Sequence, residues 1–290
     1  MGARQELERS IHQFLSYNRD GSYATQADRR HILLCFARDL FVLNYKIHHV
    51  RSLKTKHINA VLEYWKNQGL ANSTLKNRLS VLRHLTTKIN KANIIGSNEQ
   101  LKIPARSYAP KFNRAVFHPE FKAISDSYVR HSLELQRVFG LRREESLKIK
   151  PWQADARDKL ILQPSWCKGG RGREIPIRTE EQREWLDKAK ERVKCKKFSL
   201  IPEWKSYRQH LSQYKTQLLR AELKNMHGLR HAYAQIRYKE LTGWESPING
   251  GLTLKELTPE QKQQDYAVRM IISAELGHCR ESITRNYLSR

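Results

Sequence analysis

The sequence has few cysteines and no long apolar segment. Its four cysteines are widely separated and form no C-x-x-C pair, which argues against a zinc site and against a disulfide framework. No apolar run reaches the length of a membrane span, and the N-terminal segment MGARQELERS lacks the hydrophobic core of a signal peptide. We therefore expect a cytoplasmic protein with no membrane partner. The cysteines are Cys35, Cys167, Cys195 and Cys279.

Acidic residues are scarce compared with basic ones. The chain has 290 residues, with 54 Lys and Arg against 29 Asp and Glu, so its formal net charge is +25. Residues 1–110 hold 18 basic and 7 acidic side chains, and residues 111–290 hold 36 and 22, so both halves are basic. A charge this large and this evenly spread indicates a polyanionic partner contacted from two sides. The alternative is a generally basic protein with solvated charged faces.

Apolar residues recur at helical spacing in four segments before residue 96, which predicts a small helical bundle in residues 1–95. Thr25 is the predicted N-cap of the second helix, and the fourth is predicted to begin at Ser73 or Thr74. The predicted core positions of the third and fourth helices are Ile58, Val61, Leu62, Trp65, Leu75, Leu79, Leu82 and Leu85.

Helical periodicity is lost over residues 96–118, which contain two prolines and several basic side chains and are predicted to form a linker. It returns in residues 119–290, where two strand-like segments, KLILQPSW and REIPIRT, flank the glycine-rich CKGGRG. Thr179 and Thr258 each precede a glutamine by three residues and are predicted to start helices as capping boxes. The predicted fold class is mostly α with a small β-sheet.

Four short motifs in the second half carry side chains whose chemistry suits a phosphodiester. They are FGLRREESLKI, WCKGGRGREIPI, NMHGLRHAY and LGHCRESITRNYL. Arginine offers a planar fork to phosphate oxygens, histidine and lysine transfer protons, and tyrosine is a nucleophile. Each alone has a plainer explanation, such as a surface ion pair, a core histidine or a packed tyrosine ring. The candidate residues are Arg142, Glu145, Lys168, His227, Arg230, His278 and Tyr287.

Taken in order, these residues resemble the active-site set of the tyrosine recombinase (phage integrase) family. The resemblance covers nearly the whole chain and is strongest from about Phe139 to Leu288. It implies a helical (SAM-like) core-binding domain in residues 1–95 and a catalytic domain in residues 119–290, which close on DNA as a C-shaped clamp. No metal or other cofactor is implied.

The resemblance also assigns roles to single residues. Arg142 with Glu145 matches the family pattern G-L-R-x-x-E, Lys168 matches the hairpin lysine, and His227 with Arg230 matches H-x-x-R. Tyr287, nine residues after His278, matches the nucleophile. The position of His231 is more often structural in the family, so it is left out of the predicted site. The DNA contacts implied are Lys76, Arg78 and Arg83 on the fourth helix and Arg171 and Arg173 in the hairpin.

The function that the resemblance implies is site-specific recombination or integration of a bacterial mobile element. Such an enzyme cuts and rejoins double-stranded DNA at attachment sites through a 3′-phosphotyrosyl link and a Holliday junction, as a homotetramer. A DNA-bending accessory protein or an excision factor could assist, and the DNA-bound enzyme would lie at the nucleoid. Two alternatives stay open: DNA relaxation like that of a type IB topoisomerase, and DNA binding by a catalytically silent regulator of the same fold.

The sequence departs from the family pattern in two places. A long insert lies between Glu240 and Tyr266, similar to integrases of bacterial mobile islands. Only three residues follow Tyr287, whereas many relatives continue into a tail helix that docks on a neighbouring subunit. The resemblance therefore assigns neither a role to the insert nor a means of subunit coupling.

The spread of basic charge predicts a steep salt dependence of DNA binding. A protein that contacts roughly 6–10 phosphates releases their counterions and loses about 10³–10⁵ in affinity between about 50 and 200 mM salt. We expect a loss of that order in equilibrium titrations of a fluorescent duplex. A loss of less than about tenfold would contradict contact with the duplex from two sides.

Overall fold

The computed structural model describes residues 2–105, 110 and 112–290. The chain forms two compact units, Met1–Ser107 and Tyr108–Arg290. The predicted linker, residues 96–118, includes residues 106–109 and 111, which lie outside the described residues. The bounds predicted for the two domains and the linker therefore stay predictions.

The first unit is a helical bundle, and the core positions predicted on its third and fourth helices are all buried. Ile103, which falls inside the predicted linker, is buried in the same core. Trp65 donates a 2.8 Å hydrogen bond from Nε1 to Asp39, which gives this buried carboxylate a partner. The helices are α1 (Ala3–Tyr17), α2 (Tyr23–Val42), α3 (Thr55–Asn67) and α4 (Asn72–Lys88), with 3₁₀ turns at Val50–Ser52 and Ala92–Ile94.

Two helices of this unit begin earlier than predicted. The N-cap of α2 is Ser22, whose hydroxyl accepts a 3.2 Å hydrogen bond from the Thr25 backbone N–H. The N-cap of α4 is Ala71, which has no side-chain acceptor. The predicted caps are wrong because hydroxyl residues also occupy the first helical turn, where the sequence pattern cannot distinguish them from the cap.

The second unit is also mostly helical and carries the one sheet of the described residues. The capping boxes predicted at Thr179 and Thr258 are confirmed. None of the helices in the described part of the chain combines the length and apolar character needed to cross a bilayer. The helices are α5 (Ser127–Phe139), α6 (Arg143–Lys148), α7 (Pro151–Ala154), α8 (Glu180–Val193), α9 (Tyr207–Arg220), α10 (Gly228–Thr242), α11 (Pro259–Glu275) and α12 (Arg285–Leu288).

The sheet consists of β1 (Lys159–Leu162) and β2 (Arg173–Pro176), which pair antiparallel with Leu162 opposite Arg173. Inward-facing residues of both strands join the core, as period-two alternation requires. Residues 163–172 form the hairpin tip and contain two 3₁₀ turns. The predicted hairpin is confirmed, and it brings the first residue of β2 to the edge of the core.

Helix α10 is the centre of the second unit. Ten of its fifteen residues are buried, so it is enclosed on all sides rather than along one stripe. It packs against α5, α11 and α12. Helix α10 carries Arg230 and α12 carries Tyr287. The packing of α12 against α10 therefore determines where these two side chains meet.

The corner between α5 and α6 depends on Gly140. This residue is the C-cap of α5 and has φ of 61°, a left-handed conformation that glycine adopts without strain. A Cβ at this position would lie 2.6 Å from Tyr233 Cδ1, inside van der Waals contact. Both constraints require glycine where the backbone turns into the Arg142 motif.

Replacement of Gly140 by alanine should destabilise the second unit more than replacement of Gly243, which ends α10. Both residues have positive φ, 61° and 85°, so each alanine adds roughly 1 kcal/mol of backbone strain. Only Gly140 adds a clash, because nothing lies within 4 Å of a Cβ at Gly243. In urea unfolding followed by tryptophan fluorescence we expect losses of about 2–4 and about 1 kcal/mol respectively. Equal losses would show that the Tyr233 ring moves aside freely.

Candidate active site

The Tyr287 side chain lies in the core of the second unit, only 6% exposed. Its hydroxyl oxygen is 3.2 Å from Arg230 Nε and 3.3 Å from His278 Nε2. A guanidinium group can only donate, so the phenol oxygen accepts from Arg230 and keeps its own proton for the imidazole nitrogen. The predicted nucleophile therefore already sits between a cation and a proton acceptor.

Arg230 is the most enclosed cation of the site, with 1% of the residue exposed. Besides the bond to Tyr287, it donates from Nη1 to the Gly140 carbonyl at 2.6 Å and from Nη2 to the Leu276 carbonyl. These carbonyls are the C-caps of α5 and α11, where the partial negative charge of a helix end stabilises a cation. Burial, and more weakly the charges of Arg142 and Arg173, outweigh the opposite effect of Tyr287 and lower the pKa of Arg230 to about 10, so it stays charged at neutral pH.

Arg142 is held by Glu145, as the G-L-R-x-x-E pattern predicts, but not along one helical face. Arg142 is the N-cap of α6, and Glu145, in the first turn, accepts from the Arg142 backbone N–H and from its Nη1, both at 2.7 Å. Arg142 Nη2 lies 3.5 Å from His278 Nε2. The Arg142 side chain is 22% exposed, so its fork is oriented and still open to a ligand.

Arg173 does not lie where a DNA contact was predicted. Its side chain is 5% exposed and forms a two-pronged ion pair with Glu145, at 2.7 and 2.9 Å. Its Nε donates to the Glu275 carbonyl at 2.7 Å. A side chain held this way positions Glu145 and, through it, Arg142, instead of reaching a phosphate at the surface.

The fully buried carboxylate of Glu145 stays ionised because of these arginines. Burial would raise its pKa, but hydrogen bonds and charge from Arg173, followed by Arg142, outweigh burial and lower the pKa to about 2. Four donor atoms point at its two oxygens. Glu145 therefore orients the guanidinium groups of both Arg142 and Arg173.

His278 joins the two predicted arginines. Its Nε2 lies 3.5 Å from Arg142 Nη2 and 3.4 Å from Arg230 Nη2. Burial, and then the charges of Arg230 and Arg142, lower the pKa of His278 to about 4, so the ring is neutral at pH 7. The preceding Gly277 has φ of 67°, and a Cβ there would lie 3.0 Å from Arg173 Nη1, so the LGH glycine also makes room for the arginines.

Two further histidines flank the tyrosine ring. The His231 ring centroid is 4.7 Å from that of Tyr287, whereas the His227 centroid is 6.5 Å away. His231, left out of the predicted site, is thus the closer of the two. Burial, followed by the positive field of neighbouring groups, lowers the pKa of His231 to about 4 and also lowers that of His227, so both favour the neutral form.

Lys168 lies apart from this cluster. It is exposed in a 3₁₀ turn of the hairpin, next to Gly169 and Gly170 with positive φ, and forms no hydrogen bond or ion pair with other described residues. Arg171 is exposed too and donates to the Cys279 sulfur at 3.0 Å, which ties the hairpin to the residue after His278. The structure thus brings together every predicted catalytic side chain except Lys168.

The basic residues predicted on α4 differ in their surroundings. Arg83 is half-buried and donates to the Gly96 carbonyl at 2.6 Å. Arg78 stacks over the Trp65 ring at 4.6 Å. Lys76 forms no such contact with the described residues. DNA contact by these three side chains stays a prediction, with Lys76 the least engaged within the protein.

The sequence did not point to the residues that hold the segment of the predicted nucleophile, Tyr287. Gln235 donates to the Tyr287 carbonyl at 2.8 Å, and the buried Arg269 donates to the Ser289 carbonyl at 2.9 Å while pairing with Asp265. The spacing of Asp265 and Arg269, four residues apart on a helix, was an available signal. In the described ranges no group of three or more His, Cys, Asp or Glu side chains could hold a metal ion.

Two family models match the chain. The model described as phage integrase, N-terminal, matches residues 5–94, and the model described as integrase matches residues 107–236. A comparison with curated protein sequences found no match. The chain therefore belongs to the tyrosine recombinase (phage integrase) family.

Solved structures of integrases share the fold. A lambda integrase tetramer bound to a Holliday junction is 17% identical with a TM-score of 0.58, over 96% of this chain and 76% of that one. The Tn1549 transposon integrase in complex with transposon right end DNA is 13% identical with a TM-score of 0.51, over 100% and 95%. The XerH site-specific recombinase bound to palindromic difH substrate, in a post-cleavage complex, is 17% identical with a TM-score of 0.58, over 94% and 78%.

Replacement of Glu145 by glutamine should cost stability at neutral pH and progressively less in acid. The folded-state pKa of about 2 lies below the ordinary 4.5, so the carboxylate stabilises the folded protein above about pH 4.5 and loses this effect as the pH falls through about 2. We expect a loss of about 3 kcal/mol in urea unfolding at pH 7, reduced by more than half at about pH 3.

The matched control is Glu174→Gln. Glu174 pairs with Lys159 at the surface, and its side chain is 58% exposed, so its replacement should change stability by less than about 0.5 kcal/mol at either pH. A Glu145→Gln loss that does not vary with pH would contradict the ion-pair explanation.

Proposed function

We propose that this protein is a site-specific DNA recombinase, an integrase, that cuts and rejoins double-stranded DNA through a 3′-phosphotyrosyl intermediate. The observation that carries the proposal is the Tyr287 hydroxyl, which lies within hydrogen-bond distance of Arg230 and His278. Arg142 contacts the same histidine. A nucleophile, two guanidinium groups and a neutral imidazole share one site, the set that displacement at phosphorus needs.

In the proposed step the Tyr287 oxygen attacks a backbone phosphorus. The bond from phosphorus to the tyrosine oxygen forms, the bond to the 5′ oxygen breaks, and a free 5′ hydroxyl leaves. Arg142 and Arg230 bind the non-bridging oxygens, on which negative charge grows in the transition state. The phosphotyrosyl bond keeps the energy of the broken linkage, so attack by a 5′ hydroxyl of another strand restores the DNA backbone.

The proposed step moves two protons. His278 is neutral because burial and the nearby arginines lower its pKa to about 4, and its Nε2 faces the phenol at 3.3 Å. A bound phosphodiester adds negative charge beside this ring and raises its affinity for the tyrosine proton. We assign the proton for the leaving 5′ oxygen to Lys168, which is exposed on a glycine-containing turn and can reach outward to DNA.

His227 and Glu145 complete the proposed site by supporting the groups that react. The His227 ring centroid is 6.5 Å from that of Tyr287, so His227 is near enough to contact a phosphate that the Tyr287 oxygen attacks. Glu145 acts through Arg142, whose guanidinium it orients at 2.7 Å. We therefore propose His227 as a phosphate ligand and Glu145 as a positioning residue.

The proposed assembly is a homotetramer that joins two duplexes. The similar lambda integrase structure is a tetramer on a Holliday junction, which supports strand exchange through such a junction here. We propose that residues 1–95 and 119–290 belong to two DNA-binding domains. Of the predicted linker, residues 96–118, Ile103 packs in the core of the first unit and Asn113 bonds to Gln235 in the second. The proposed substrates are the attachment sites of a mobile element.

Removal of the Tyr287 hydroxyl tests the proposal. On a nicked duplex that traps the cleaved state, the wild-type protein should form a denaturant-resistant DNA adduct, and Tyr287→Phe should form none while it binds the duplex with unchanged affinity. Tyr266→Phe is the matched control, because Tyr266 is 60% exposed on α11 and should react normally. A Tyr287→Phe adduct, or a wild-type adduct mapped by mass spectrometry to another residue, would refute the assignment.

A second assay separates recombination from topoisomerase-like relaxation. A recombinase joins strands from two labelled duplexes that carry the same site, whereas a topoisomerase relaxes a supercoiled plasmid that lacks the site. Relaxation without joining would favour the alternative, and neither activity would favour a silent DNA-binding regulator.

A further inference from the structure

We propose that Gln235 is a positioning residue for the nucleophile, and that Asn113 and Asn249 fix its side-chain amide. The inference rests on the proposed role of Tyr287. Gln235 lies on α10, five residues after Arg230, is 1% exposed, and donates from Nε2 to the Tyr287 backbone carbonyl at 2.8 Å. It is thus bonded to the nucleophile residue itself without touching the reacting oxygen.

The nucleophile helix cannot hold its own position. Helix α12 contains four residues, far fewer than a helix needs to be stable by itself. The helix lies within residues 280–289, and three side chains from α10 and α11 donate to backbone carbonyls of that segment. Ser273 donates to Arg280, Arg269 to Ser289, and Gln235 to Tyr287. The first two hydrogen bonds hold the two ends of the segment. The Gln235 hydrogen bond holds the helical turn that carries the Tyr287 side chain.

The amide of Gln235 has a defined orientation because Asn113 binds both of its ends. Asn113 Nδ2 donates to Gln235 Oε1 at 3.1 Å, and Gln235 Nε2 donates to Asn113 Oδ1 at 2.9 Å. Rotation of the Gln235 amide by half a turn would place its oxygen against the Tyr287 carbonyl and leave two donors facing each other. A joint flip of both amides would keep this pair but would turn Asn113 Nδ2 toward the Ala115 backbone N–H, which can only donate. The Ala115 N–H and the reciprocal pair together therefore direct Nε2, and not Oε1, to the Tyr287 carbonyl.

Asn113 is itself fixed from two sides. Its Oδ1 accepts from the Ala115 backbone N–H at 2.9 Å, and its Nδ2 donates to Asn249 Oδ1 at 2.6 Å. Asn249 belongs to the insert after α10, in a 3₁₀ turn that packs on α12. The insert, to which the sequence assigned no role, thus supports the nucleophile helix both by packing and through this amide chain.

The segment that carries Asn113 also contacts the start of α10. The Val116 backbone N–H donates to the Gly228 carbonyl at 3.0 Å, and the Arg114 carbonyl would lie 2.4 Å from a Cβ at Gly228, so the two backbones touch. His227 is the N-cap of that helix. Residues 113–116 therefore hold both the histidine end of α10 and, through Gln235, the tyrosine.

Loss of the Gln235 hydrogen bond should lower the rate of DNA cleavage more than it lowers the stability of the folded protein. One buried hydrogen bond makes only a small net contribution to the free energy of folding. A displacement of about 1 Å in a reacting group costs roughly 10²-fold in rate. A positioning role thus predicts a large loss of cleavage rate in a protein that is still folded and still binds DNA.

The test measures single-turnover cleavage of the nicked duplex, with saturating protein, together with DNA affinity and urea stability. We expect Gln235→Leu to lower the cleavage rate about 30–100-fold and to change DNA affinity less than about twofold. Asn113→Ala and Asn249→Ala leave Gln235 in place and should each lower the rate about 3–10-fold. Because these two residues are not in the packed core, their variants test the proposal even if Gln235→Leu fails to fold.

The control variant is Gln182→Leu. Gln182 is buried to the same degree and donates to the Val138 carbonyl at 2.8 Å, away from Tyr287. It should lose stability and cleave at the wild-type rate below its unfolding transition. An equal rate loss in Gln182→Leu and Gln235→Leu would mean that destabilisation alone accounts for the effect.

A pH profile supplies a readout that a packing role would not change. In Gln235→Glu the ionised side chain cannot donate to the Tyr287 carbonyl, whereas the protonated side chain can, and burial raises the pKa of such a carboxyl group. We expect the cleavage rate of Gln235→Glu, relative to wild type, to rise as the pH falls from about 8 to about 5.5, and the relative rate of Gln235→Leu to stay constant.

The outcomes separate this inference from the proposed function. If wild type forms an adduct at Tyr287 but all Gln235, Asn113 and Asn249 variants cleave normally, only the positioning role is overturned. Parallel pH profiles for the Glu and Leu variants would overturn it as well. If wild type forms no adduct at Tyr287, the proposed function fails first, and this inference fails with it.

Discussion

The buried guanidinium of Arg230 is the constraint on which the rest of the second unit depends. A cation that is 1% exposed needs partners, and those in the described structure are the C-terminal carbonyls of α5 and α11, the Tyr287 hydroxyl and the His278 ring. Helix ends carry partial charges, so they stabilise the cation without neutralising it as a carboxylate would. The corner at Gly140 and the one at Leu276 must therefore both approach α10, and the positive charge stays available to a phosphate.

The inner cluster has a charge suited to phosphoryl transfer. Arg142 and Arg173 bind the single carboxylate of Glu145, and Arg142 and Arg230 both lie against His278. The three guanidinium groups and the one carboxylate leave the cluster a net charge of +2. Attack of a tyrosine oxygen on a phosphodiester creates a dianionic transition state, which this charge matches. The neighbouring His278 is neutral, with a pKa lowered to about 4 by burial and the arginines, so the charge of the cluster does not vary across neutral pH.

Local signals in the sequence predicted the helices, the hairpin and most of the site, because apolar spacing and motifs such as H-x-x-R are set within a few residues. What they missed depends on distant contacts. Gln235 and Asn113 are 122 residues apart, and nothing near either one indicates their pairing. Arg173 looked like a hairpin residue facing DNA because the pattern does not reveal that β2 starts beside Glu145. His231 is left out of the predicted site because its position is more often structural in the family. Its closeness to Tyr287 arises from the packing of α12 on α10, which the local sequence does not show.

The side chains of the candidate active site also hold the folded second unit together. The contacts of Arg142, Arg173 and Arg230 join α5, α6, β2 and α11, so their orientation is fixed as the core forms and needs little reorganisation when DNA binds. Tyr287 differs from these arginines. Its ring packs in the core together with Leu288, and Gln235 holds its backbone carbonyl. The hydroxyl adds only polar contacts. A helix of four residues can carry the proposed nucleophile because neighbouring helices, and not the Tyr287 hydroxyl, determine its position.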